Sequence, residues 1–307
     1  MLVNSILELI GKTPMLQLNN YMEKHKIHGN MIAKLENFNP MNSVKDRAAL
    51  QMIEDAESQG LITKSTTLIE ATSGNAGIGL ALVAAIKNYR LIIVMPDSIS
   101  IERVNMLKAF DVEVVLTPSS EGMHGSIVKS KELAKEIENS FLLKQFANDS
   151  VVKVHIINTG KEILDDTKGK VDILVATVGT GGTITGIGTI LKVHNPDIKI
   201  IAVEPSGSPT LSKGESGPHK IQGIGPGFVP PVLNMDILDE IITVDDINAA
   251  STTKELLTTE GLYVGISSGA AVFAAKEVAM RPENKGKNII VILPDAGYRY
   301  MSNDIFT

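Results

Sequence analysis

The chain has 307 residues, enough for one large or two modest α/β domains that bury roughly three quarters of their unfolded surface. Hydrophobic residues make up 43%, which argues against disorder, and a net charge of −6 argues against nucleic acid, whose recognition needs basic patches. The lack of cysteine excludes disulfides, thiolate metal sites and a cysteine nucleophile, and it fits a reducing cytoplasm. Met1 to Ile10 contains Glu8 and no basic run, so no secretory signal is expected. The longest apolar run, Ala76 to Ile86, is about half a membrane span. A soluble protein with neither membrane nor nucleic-acid partners is predicted.

In chain order, Asn39-Pro40 ends an extended run, because the residue before proline is pushed out of the helical region. Beyond Ser43, the spacing of Ala48, Ala49, Met52, Ile53 and Ala56 predicts a helix, with Ser43 and Asp46 as its capping pair. Lys45 then falls in the first turn, where the helix dipole disfavours an ammonium and burial disfavours it further. Such a lysine is a candidate Schiff-base former, against the plain alternative of a solvated side chain.

Short β-branched runs predict strands at Thr67–Ala71, Leu91–Met95, Glu113–Leu116 and Phe141–Leu143, separated by helices at Ala76–Asn88, Ile101–Phe110 and Ser126–Asn139. The second half continues with strands at Val171–Val178, Lys199–Val203, Glu240–Val244 and Asn288–Leu293. Its helices are expected at Thr183–Val193, Asp246–Thr259 and Ser268–Met280. This alternation means parallel sheets covered by helices on both faces.

Three glycine- and hydroxyl-rich segments precede helices, the first two of them directly after a strand. Gly179-Thr180-Gly181-Gly182-Thr183 offers backbone N–H groups and a helix N-terminus to an anion, or is only a tight turn. It is not a dinucleotide fingerprint, since Ile184 stands where the third glycine belongs. Thr72-Ser73-Gly74-Asn75-Ala76 could be an anion site or an ordinary helix cap, and Gly265-Ile266-Ser267-Ser268-Gly269, before another helix, reads as a cap. The six histidines, His155 among them, lack metal-ligand spacing, so no metal is expected. Glu70, Glu204 and Asp295, at strand ends, read as structural.

The segment Asn39-Pro40-Met41-Asn42-Ser43-Val44-Lys45-Asp46-Arg47 resembles the Asn-Pro-x-x-Ser-Val-Lys-Asp-Arg motif of the cysteine synthases (O-acetylserine sulfhydrylases), and the other motifs match in order over nearly all of the chain. The resemblance implies a fold type II pyridoxal-phosphate enzyme (tryptophan synthase β-like), with two three-layer αβα domains and mostly parallel sheets. Residues 40–150 would form the smaller domain. Residues 1–39 and 151–307 would form the larger one, carrying the phosphate loop, with Met15–Leu35 joining its sheet and the active site in the cleft between the sheets.

By the same resemblance Lys45 carries pyridoxal 5′-phosphate and acts as the base. Gly179, Thr180, Gly181, Gly182 and Thr183 hold the cofactor phosphate, Asn75 bonds the ring oxygen, and Ser267 faces the ring nitrogen. Thr72, Ser73, Gly74 and Gln145 bind the substrate carboxylate, and Gly223, in Gln222–Phe228, lines the pocket beside the β-carbon. Ala76 stands where the family has threonine, so one carboxylate contact is in doubt.

The implied reaction is β-replacement on an amino acid, making cysteine and acetate from O-acetylserine and sulfide. The alternative is a cysteine-consuming enzyme that releases hydrogen sulfide and forms lanthionine, serine or cystathionine. Ser43–Leu50 is closer to the B form of the sulfhydrylases and Gly217–Gly223 to the A form. The resemblance also implies a homodimer, with serine acetyltransferase as a candidate partner. A non-catalytic anion-binding α/β protein is the rival from another class, and it leaves Lys45 unexplained.

Overall fold

The structure, a computed structural model, describes residues 2–99 and 101–303. The chain begins with β1 (Met15–Gln17), α1 (Asn19–Lys24) and β2 (Asn30–Leu35). Next come α2 (Lys45–Ser58), β3 (Thr67–Ala71), α3 (Asn75–Lys87), β4 (Arg90–Pro96), α4 (Ile101–Lys108), β5 (Glu113–Thr117), α5 (Gly122–Glu136) and β6 (Ser140–Leu142). A run of α6 (Ser150–Val154), a π-helical segment (His155–Thr159) and α7 (Gly160–Thr167) follows. The chain continues with β7 (Ile173–Thr177), α8 (Gly182–His194), β8 (Lys199–Pro205) and α9 (Thr210–Lys213). It then forms β9 (Glu240–Val244), α10 (Asp246–Glu260), α11 (Ile266–Ala279) and β10 (Asn288–Leu293).

Two compact units result, one of Met1–Ile10 with Lys45–Val151 and one of Gly11–Val44 with Val152–Thr307. Among the described residues the first unit has one sheet, in the order β5-β4-β3-β6, with every pair parallel. Alternate residues of its strands face opposite sides. Ile69, Ile92 and Val94 pack against Leu133 and Ala134 of α5, while Ile93 points towards Gly77 of α3. Helix α3 is apolar nearly all round, with Ala76 through Ala84 buried, as befits a helix enclosed by protein. It ends where Asn88 takes a left-handed conformation (φ 56°) and its N–H returns to Ala84 and Ala85.

The second unit holds the order β1-β2-β10-β7-β8-β9, parallel except for the antiparallel pair β1–β2. Both of its faces carry an apolar cluster. Val175, Val203, Ile289 and Val291 join Ala270, Ala271 and Ala274 of α11, and Leu174, Ile200, Ala202 and Ile290 join Ile184, Ile187 and Leu191 of α8. A valine or isoleucine buried this way stabilises the fold by about 1.5–3 kcal/mol. Both sheets are therefore the parallel, helix-covered kind that the alternation predicts. Among the described residues no helix is long and apolar enough to cross a membrane.

Helical spacing does not disclose the run from Ser150 to Thr167. Val151, Val154, Thr159 and Ile163 are buried, but the π segment inserts an extra residue between Val154 and Thr159 and breaks the period of 3.6.

Candidate active site

Lys45 is the first residue of α2, at the predicted helix start. The chain reaches it through Asn42, left-handed at φ 53°, whose Nδ2 donates to the Asn37 carbonyl at 2.9 Å. Ala48, Ala49, Met52, Ile53 and Ala56 are all buried, so the helix is fixed by its apolar face. Gly79 of α3 lies against its first turn. A Cβ there would stand 3.1 Å from the Lys45 carbonyl oxygen and 3.2 Å from the Ala49 Cβ, so glycine permits the close approach of the two helices.

The same unit presents Thr72, Ser73, Gly74, Asn75 and Ala76 where β3 gives way to α3. Helix α3 has no side-chain cap at Gly74, which leaves its start with N–H groups suited to an anion. The loop is braced from outside, because Arg103 Nη1 donates to the Ser73 carbonyl at 2.7 Å. Thr72 accepts at its hydroxyl from the Gly74 N–H at 3.2 Å. Ala76 is buried. Gln145, also buried, follows β6, which runs parallel beside β3, so it emerges at the same sheet edge as Thr72.

In the second unit Gly179–Thr183 joins β7 to α8. A Cβ at Gly179 would collide with the Gly223 carbonyl oxygen. Gly181 has φ 86°, and a Cβ there would lie 2.7 Å from Cβ of Leu233. Side chains at these places would fill the cradle. The start of α8 has neither a side-chain cap nor an acidic residue in its first turn. Backbone N–H groups, the Thr180 and Thr183 hydroxyls and the absence of competing carboxylates in that turn fit a phosphate ester. Gly223, left-handed at φ 89°, stands beside this loop.

One residue of this region escapes sequence reasoning. His155, buried in the π segment, has Nδ1 2.8 Å from the Thr159 hydroxyl and Nε2 3.1 Å from the Thr183 hydroxyl. Gly186 of α8 makes this possible, since a Cβ there would stand 2.6 Å from the His155 Cβ. The spacing of His155 and Thr159, four apart and so on one helical face, was the available signal. Arg103 gave none.

Ser267 is buried in the first turn of α11, which begins at Ile266, two residues before the predicted start. The preceding Gly265 N–H donates to the Asp295 carbonyl at 3.0 Å. Glu204 accepts from the Leu211 and Ser212 N–H groups at 2.7 and 3.0 Å and anchors α9. Burial pushes the Glu70 carboxyl up to about 8, opposed by the backbone N–H groups of Gln145 and Lys144.

Residues 6–295 match the family described as "Pyridoxal-phosphate dependent enzyme". The chain is 46% identical to the cysteine synthase of Staphylococcus aureus over 306 residues, covering 99% of this chain and 97% of that protein. The crystal structure of a cysteine synthase from Entamoeba histolytica superposes with a TM-score of 0.97 at 40% identity, covering 100% of this chain and 91% of that one. A hydrogen sulfide-producing enzyme from Fusobacterium nucleatum gives 0.93 at 45% identity, covering 98% of this chain and 100% of that one. A likeness this high, sustained over both units and both sheets, means that the chain belongs to the cysteine synthase family of pyridoxal-phosphate-dependent enzymes.

Proposed function

We propose that this enzyme makes L-cysteine and acetate from O-acetyl-L-serine and sulfide, with Lys45 as its catalytic residue. The observation that carries the reading is the helix-start lysine, held against α3 by the close approach at Gly79, in a chain whose other unit supplies an uncapped, glycine-lined anion cradle. Bound pyridoxal phosphate supplies an aldehyde that condenses with amines and an electron sink for charge at the substrate α-carbon.

The chain's own residues do the rest. Gly179–Thr183 holds the phosphate through N–H and hydroxyl donors, and Asn75 orients the ring. Ser267 meets the ring nitrogen with a hydroxyl, which does not keep that nitrogen protonated as a carboxylate would. Thr72, Ser73, Gly74 and Gln145 fix the substrate carboxylate. Lys45, with its amine neutral, takes the α-proton as acetate departs from the β-carbon. It returns that proton to the α-carbon once hydrosulfide has added at the β-carbon. The two half-reactions give ping-pong kinetics. The same resemblance supports a cytoplasmic homodimer, with serine acetyltransferase as a candidate partner.

A second reading is favoured by the likeness to the hydrogen sulfide-producing enzyme. Run on cysteine, the same first half-reaction expels hydrosulfide instead of acetate. Incubation with O-acetylserine plus sulfide, and separately with cysteine, decides between them. Faster cysteine formation in the first supports the proposed reaction. Faster sulfide release in the second replaces it with the alternative.

A further inference from the structure

The loop assigned to the substrate carboxylate is held by a cation from another helix. Its start is pinned at Thr72, whose N–H donates to the Val94 carbonyl at 3.0 Å, and its end where the Gly77 N–H donates to the Gly74 carbonyl at 3.2 Å. Between them the Ser73 carbonyl accepts from Arg103 Nη1 at 2.7 Å, the short length of a charge-assisted bond. Arg103 belongs to α4, which follows the neighbouring strand β4. Leu107, one turn further along α4, has its Cδ2 3.8 Å from where a Cβ on Gly77 would stand. Val104 and Leu107 are buried, so packing fixes the helix while its arginine reaches the loop.

Without an anion this is a poor place for a cation. Ser73 directly precedes Gly74, the N-cap of α3, and a helix start carries partial positive charge. An arriving carboxylate turns the repulsion into attraction for both. The hydrogen bonds also run in series. The Ser73 carbonyl and the Gly74 N–H belong to one peptide unit, and a cation on the carbonyl polarises that unit and strengthens its N–H as a donor. The Gly74 N–H donates to the hydroxyl oxygen of buried Thr72 at 3.2 Å. A hydroxyl that accepts in this way keeps its own O–H as a donor. We propose that Arg103 is a positioning residue for the substrate carboxylate, acting through the Ser73–Gly74 peptide on the Thr72 hydroxyl. This rests on the proposed role of Thr72 and adds to it the residue that sets the hydroxyl in place.

The test is a double-mutant cycle on the holoenzyme, reading kcat and KM for O-acetyl-L-serine and for sulfide. In ping-pong kinetics kcat/KM for O-acetylserine reports the first half-reaction and kcat/KM for sulfide the second. Arg103→Met keeps an apolar stem and removes the donor and the charge; Arg103→Lys keeps both. The expected result is a fall of about three- to tenfold in kcat/KM for O-acetylserine in Arg103→Met, carried by KM, with kcat/KM for sulfide unchanged and Arg103→Lys closer to wild type. In a Thr72→Val background, which itself lowers the same constant, Arg103→Met should add nothing. Where Arg103→Met does not fold, Arg103→Gln removes the charge and should lower the same constant. Wild-type constants in Arg103→Met, or in Arg103→Gln, overturn the proposal while leaving Thr72 in place. Equal losses for O-acetylserine and sulfide overturn it too, because Arg103 then serves the fold alone. So does an undiminished effect in the Thr72→Val background. A Thr72→Val enzyme with normal constants overturns the role of Thr72 itself and the proposal with it.

Discussion

His155 and Thr183 meet at 3.1 Å, imidazole Nε2 to hydroxyl, across the π segment and the first turn of α8. The tautomer with its proton on Nε2 donates to Thr183 and accepts at Nδ1 from Thr159, 2.8 Å away. In that tautomer Thr183 keeps its own O–H for the phosphate it is proposed to hold. His155→Ala should remove one net hydrogen bond's worth of order, about 0.5–1.5 kcal/mol, and weaken cofactor retention by roughly two- to tenfold. Titration of the apoenzyme with pyridoxal phosphate measures it, and unchanged affinity would separate His155 from the phosphate loop.

Gly79 should tolerate little. Gly79→Val forces side-chain atoms into the gap beside Lys45 and Ala49, where a Cβ alone stands at 3.1 and 3.2 Å. Overpacking of this kind costs about 1–3 kcal/mol. Because the strain falls on the first turn of α2, kcat should drop along with the melting temperature. A destabilised variant with a normal kcat would show that the contact serves packing alone.

Glu70 also makes stability depend on pH. Burial raises its folded-state value to about 8 from an ordinary 4.5, so between those limits the folded form holds a proton that the unfolded form has released. Stability therefore falls as pH rises from about 4.5 to 8, and flattens above 8 as far as this group is concerned. Glu70→Gln removes the titration. Its stability relative to wild type should climb across that window, with a slope on the order of 1 kcal/mol per pH unit at most. Denaturant melts at pH 5.5, 7 and 8.5 check this, and a constant difference would contradict the raised value.

Ala76, buried at the start of α3, stands at the family's threonine position. Ala76→Thr should add one charge-assisted hydrogen bond to the substrate carboxylate, worth about 1.5–3 kcal/mol at most. The gain should be equal for O-acetylserine and cysteine in the first half-reaction. A selective gain for one donor would place residue 76 beside the side chain instead.

The sheets were legible because their strands are short, β-branched and bounded by turn residues, and Thr67–Ala71 and Asn288–Leu293 agree with the predicted limits residue for residue. Lys45 was legible as a helix-start residue for the same reason, periodicity. What periodicity could not give was Ser150–Thr167, where a π segment displaces the buried positions by one residue. Nor could it give the brace from Arg103 to Ser73, which joins elements far apart in sequence.

The central claim is that Lys45 carries the cofactor. Borohydride reduction of the yellow holoenzyme, followed by proteolysis and mass spectrometry of the peptides, tests it most directly. The account predicts a single phosphopyridoxyl label on Lys45, lost in Lys45→Ala together with turnover. A label on any other lysine, or a Lys45→Ala enzyme with wild-type activity, would contradict it.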